Sequence, residues 1–92
     1  MKRIRARVRF KGSVQGVGFR YFTCRKALAQ GLTGWVRNLA DGDVEAVFEG
    51  RESEIRSALE LCRQGPAGGR VDEMLIDWEE FRGEFTSFEI LR

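Results

Sequence analysis

Lys2-Arg3-Ile4-Arg5-Ala6-Arg7-Val8-Arg9-Phe10-Lys11-Gly12-Ser13-Val14-Gln15-Gly16-Val17-Gly18-Phe19-Arg20 carries the transition on which the fold turns. Ile4, Ala6, Val8 and Phe10 share one parity and Arg3, Arg5, Arg7 and Arg9 the other, the period of a half-buried strand over Lys2 to Phe10. Lys11 to Gly18 then places Gly12, Gly16 and Gly18 close together, so the chain is free to take positive φ in a loop. From about Phe19 to Gln30 there is neither Pro nor Gly; Phe22, Ala27, Leu28 and Ala29 supply apolar surface, and Gly31 follows as a helix C-terminal signal. The stretch therefore reads as strand, glycine loop and helix.

Outward from it, Leu32 to Leu39 reads as a second strand around Trp35 and Val36, and Asp41-Gly42 suits a tight hairpin turn. Val44, Ala46 and Phe48 alternate with Glu45 and Glu49 on the returning strand. Ser53 is the expected cap of a second helix, in which Ile55, Ala58, Leu59 and Cys62 fall at i, i+3, i+4 and i+7. That helix ends before Gly65-Pro66, and Gly68-Gly69 prolongs the connection. Met74, Ile76 and Trp78 alternate with Asp77 and Glu79 in a fourth strand, and Phe88 with Ile90 marks a short fifth. The order β-α-β-β-α-β is the split βαβ arrangement, an α+β, ferredoxin-like two-layer sandwich with two helices on one face of an antiparallel sheet. The other face is expected to be solvated, with the arginine parity of the first strand upon it.

Ninety-two residues with 42% hydrophobic and 33% charged side chains fit one folded domain over 1–92. No apolar run approaches the roughly 18 residues of a spanning helix, and the amino terminus is charged where a signal peptide would be apolar. A cytoplasmic protein with no membrane partner is expected. The chain has no histidine, which removes histidine triads, phosphohistidine intermediates and histidine-containing metal sites. Cys24 and Cys62 are too few for a four-cysteine cluster and read as buried thiols. The expectation is chemistry with no metal and no cofactor.

In this topology the first two strands run in the same direction, so the glycine loop and Arg37-Asn38 converge on one rim. Asn38 shares the parity of Val36, on the helix side, where Arg20 opens the first helix. Loop amides can turn inward as a nest, and a helix N-terminus adds unpaired N–H donors and partial positive charge. Arg20 brings a planar fork that can hold two phosphoryl oxygens. The loop lacks the Gly-Lys-[Ser/Thr] end of a nucleotide P-loop, and no cysteine precedes Arg20 at its mouth. Without a covalent nucleophile, the simplest reaction is attack of water on a phosphoryl group that already has a good leaving group, as in a mixed carboxylic-phosphoric anhydride.

Simpler roles stand beside these: the loop as a plain βα connection, Asn38 as turn chemistry and Trp35 as packing. A ferredoxin-like sheet with a basic face also describes RNA-binding modules. Against that, Glu45, Glu49, Asp77, Glu79 and Glu89 are spaced to pair with the arginines, the net charge is only +2, and the first strand shows no exposed aromatic for base stacking. No nucleic-acid partner is expected.

Gly12-Ser13-Val14-Gln15-Gly16-Val17-Gly18-Phe19-Arg20, Gly31-Leu32-Thr33-Gly34-Trp35-Val36-Arg37-Asn38, Asp41-Gly42-Asp43-Val44-Glu45 and Glu49-Gly50 together resemble the acylphosphatase family over nearly the whole chain. The resemblance implies hydrolysis of small-molecule acyl phosphates to carboxylate and inorganic phosphate by a monomer without metal or cofactor, with phosphate or sulfate as competing ligands. By matching position, Arg20 would hold the phosphate and Asn38 would orient the attacking water. Val14, Gln15, Gly16, Val17, Gly18 and Phe19 would form the substrate-binding loop. Between a free-standing enzyme and a domain of a larger maturation enzyme, the start at Met1 and the lack of zinc-finger cysteines favour the first.

Overall fold

Alternation along β1 (Arg3–Ser13) sends Ala6, Val8 and Phe10 to a fully buried face, and the same parity in β3 (Val44–Arg51) buries Val44, Ala46 and Phe48 beside them. The computed structural model describes residues 2–92; Met1, the first residue of the domain expected over 1–92, lies outside them. The remaining elements are α1 (Phe19–Ala29), β2 (Thr33–Asn38), α2 (Glu52–Gln64), β4 (Arg70–Glu80) and β5 (Phe88–Ile90). The sheet order is β4-β1-β3-β2-β5. The first four strands pair antiparallel, whereas β5 lies parallel to β2, with Gly34 opposite Phe88 and Val36 opposite Ile90. The ferredoxin-like sandwich is thus as expected, but its sheet is mixed rather than wholly antiparallel.

The two helices bury their faces for different reasons. In α2 the predicted stripe of Ile55, Ala58, Leu59 and Cys62 is entirely buried. Its start differs from expectation: α2 begins at Glu52 with Arg51 in the cap position and no side-chain cap, and Ser53 lies within the first turn. Glu52 and Glu54 there oppose the positive end of the helix dipole. The buried residues of α1 are Phe19, Thr23 and Ala27, spaced i, i+4, i+8, while Leu28 is half exposed. Phe19 packs edge-on against Phe10 with ring centroids 4.9 Å apart. Gly34 lets β2 and β3 approach closely: it has φ 138°, and a Cβ there would sit 1.8 Å from the Val47 carbonyl oxygen.

The second face of the sheet corrects the sequence expectation. Arg5 is only 3% exposed and Glu49 1%, because the segment between β4 and β5 folds across that end of the sheet. Glu49 accepts hydrogen bonds from the backbone N–H groups of Arg82 (2.8 Å) and Gly83 (3.1 Å) and from Arg5 Nη1 (3.1 Å). The Phe85 ring lies 5.2 Å from the Arg5 guanidinium. Further along the face, Arg7 pairs with Glu45 and Glu79, and Arg9 with Asp41 and Asp43. Trp35 sits between Arg37 at 5.0 Å and Arg7 at 5.9 Å. The arginine stripe is therefore largely matched by carboxylates within the chain.

Candidate active site

The loop from β1 to α1 meets the end of β2 because Gln15 fastens the two. Its side-chain amide donates to the carbonyl oxygens of Leu39 (2.7 Å) and Asp43 (2.8 Å), on either side of the hairpin turn. Gly16 has φ 76°, and Gly18, in the N-cap position of α1, has φ 77° and ψ 18°. Both conformations are costly for a residue with a Cβ. With glycine as the cap, no side chain occupies the helix N-terminus. The first helical bond runs from Phe22 N–H to the Gly18 carbonyl at 3.0 Å, so the amides of residues 19–21 have no helical acceptor. Unlike α2, α1 has no acidic residue in its first turn, and its positive end is left uncompensated.

These donors face a cleft of about 180 Å³ lined by Val14, Gly16, Gly18, Phe19, Arg20, Tyr21, Asn38 and Ile90. Most of the residues singled out from sequence on the loop, with Arg20, are thereby brought together with Asn38 of β2, about twenty positions away in the chain. Arg20 Nη1 donates to the Leu91 carbonyl at 3.1 Å, which orients the guanidinium and leaves most of its five N–H donors uncommitted. Asn38 ends β2 opposite Val44, exposed at the rim.

Three loop residues sit differently from a simple ring of contacts. Gln15 and Val17 do not line the cleft: the Gln15 side chain is spent on the hairpin, and Val17 packs against the core. Phe19 has its ring in the core at 1% exposure, so what it offers an anion is its amide. The cleft also contains Tyr21 and Ile90, which the sequence reading did not single out. Tyr21 follows Arg20 directly, and that adjacency was the available signal. Ile90 reaches the site only through the parallel docking of β5, which no local pattern announces.

Neither thiol is placed to act as a nucleophile. Burial pushes the Cys62 thiol up to about 11, against a weaker downward pull from Thr23 and Lys26. Burial also raises that of Cys24, so both stay protonated at neutral pH. Among the described residues, no three His, Cys, Asp or Glu side chains gather into a metal-binding group, and no helix is long and apolar enough to cross a membrane.

The family model described as Acylphosphatase matches residues 6–90. The chain belongs to the acylphosphatase family. An acylphosphatase from Moorella thermoacetica is 52% identical over 90 residues, covering 98% of this chain and 96% of that one. The crystal structure of acylphosphatase from Bacillus subtilis superposes with a TM-score of 0.94 at 34% identity, covering 97% and 99% of the two chains. HypF from T. kodakarensis contains a similar unit, with a TM-score of 0.80 and 34% identity over 100% of this chain and 12% of that one. Acylphosphatases are hydrolases of acid anhydrides that split the carboxyl–phosphate bond.

Proposed function

We propose that the chain hydrolyses acyl phosphates at this cleft by direct attack of water, with Arg20 and the loop amides holding the phosphoryl group and Asn38 orienting the water. The observation that carries the reading is the conjunction in one cleft of Arg20, Asn38 and a glycine-capped helix N-terminus free of acids. Charge on the equatorial phosphoryl oxygens is met by fixed N–H dipoles and one guanidinium, which need no reorganisation as the reaction proceeds. The water oxygen bonds to phosphorus while the bond from phosphorus to the acyl oxygen breaks, and its electron pair leaves with the carboxylate. The side-chain amide of Asn38 is neutral and cannot take a proton at ordinary pH, so a non-bridging phosphoryl oxygen receives the proton from the water. Val14, Gly16, Gly18 and Phe19 surround the phosphoryl group, whereas Gln15 and Val17 act by shaping the loop.

On this reading inorganic phosphate or sulfate competes for the same cleft. The protein works as one domain over 1–92, a cytoplasmic monomer whose charged sheet face is largely paired within the chain. Release of phosphate from a synthetic aroyl phosphate tests the proposal. Asn38→Ala is expected to lose at least about a hundredfold in turnover, comparable to deleting a transition-state donor, while phosphate still inhibits. Activity should survive a strong chelator. Retained turnover in Asn38→Ala would remove its water-positioning role.

A further inference from the structure

Lining the cleft are two large side chains that the proposed grip on phosphate does not call upon. Tyr21 is 63% exposed and Ile90 38%, and both line the cleft with Arg20 and Asn38. Their placement follows from the clamp itself: Tyr21 is the next residue after Arg20 on α1, and Ile90 precedes Leu91, whose carbonyl holds the Arg20 guanidinium. Any ligand gripped by Arg20 therefore has Tyr21 and Ile90 at its flank. Exposed apolar side chains are ordinary when scattered, but here two border one cleft together with Arg20 and Asn38.

Both walls are held in place before any ligand arrives. The Arg25 guanidinium, one turn further along α1, lies 5.6 Å from the Tyr21 ring centroid. Ile90 is fixed in β5 opposite Val36, and Leu91 N–H donates to the Val36 carbonyl at 2.8 Å. Helix and strand are joined directly, since Cys24 Sγ donates to the Phe88 carbonyl at 3.6 Å.

We propose that Tyr21 and Ile90 form the acyl subsite, and that it selects acyl phosphates bearing an aromatic or bulky apolar acyl group over those bearing a short one. The inference rests on the cleft being the hydrolytic site. An aromatic acyl group stacks on Tyr21 and loses apolar surface to Ile90, whereas an acetyl group reaches neither and depends on the phosphoryl contacts alone.

The test compares kcat/KM for benzoyl phosphate and acetyl phosphate in the wild type, Tyr21→Ala and Ile90→Ala, with inhibition by inorganic phosphate measured in each. The exposure of both side chains makes these variants tolerable to the fold, and thermal unfolding checks that they are folded. The expected result is a fall of about tenfold in the benzoyl-to-acetyl ratio for Tyr21→Ala and a smaller fall for Ile90→Ala, with phosphate inhibition unchanged. An unchanged ratio in both variants, or an equal loss on both substrates, overturns the acyl subsite. Absence of turnover and of phosphate inhibition in the wild type would instead sink the reading of the cleft itself.

Discussion

At Arg20 the guanidinium gives one N–H to the Leu91 carbonyl and leaves most of its donors uncommitted, so its orientation is set by the far end of the chain. Arg20→Ala is expected to cost about 3 kcal/mol of transition-state stabilisation, roughly two orders of magnitude in kcat/KM, and to abolish inhibition by phosphate. Phosphate inhibition equal to that of the wild type would contradict the clamp. Arg20→Lys should recover little, because an ammonium keeps the charge but lacks the fork. That Arg20 and Asn38 would meet at one rim was legible in the sequence because each lies at the end of an element whose direction the topology dictates. Beyond its adjacency to Arg20, nothing announced that Tyr21 would line the cleft, because an aromatic on an exposed helix position reads the same whether it borders a cleft or water.

Among the elements, β2 is tightly constrained. It lies between β3 and β5, and Gly34 N–H donates to the Ser87 carbonyl at 3.0 Å while its α-carbon lies against the Val47 carbonyl. Gly34→Ala must push β2 away from β3 and also place a Cβ residue at positive φ. A loss of about 3 kcal/mol or more is expected, read as a lower urea midpoint; an unchanged midpoint would mean that β2 moves freely. Strands with one wet face were legible from alternation, and so was α2, whose apolar stripe is unbroken. The packing face of α1 was not, since Thr23 replaces an apolar residue at its centre and the apolar Leu28 faces outward. Burial of Arg5 and Glu49 was equally hidden, because it depends on a connection from another part of the chain folding over the sheet. Alternation reports parity along one strand and nothing about what later covers it.

For the whole molecule, the carboxylates paired on the sheet and at its margins govern the response to acid. Hydrogen bonds from Lys11 and Arg9 hold Asp43 below its ordinary range, and Arg70 does the same for Asp72. Burial pulls Glu45 upward, but the hydrogen bonds from Arg37 and Arg7 outweigh it and the net shift is down. Each group is a stronger acid in the folded state, so the unfolded chain binds more protons at low pH. The contribution is complete above the unfolded carboxylate range of about 4 and is lost as pH falls through the folded values. The urea midpoint should accordingly hold steady near neutrality and decline below about pH 4, and Asp43→Asn should flatten that decline; an unaltered acid slope would show that the pairing carries no weight. The sheet has a further property at its two margins. One margin is β5, three residues long, and the other is β4, which carries Asp72, Glu73, Asp77, Glu79 and Glu80. A second copy adding itself along β4 would set acid beside acid, and β5 is too brief to template an incoming chain, so both rims resist the edge-to-edge growth that leads to fibrils.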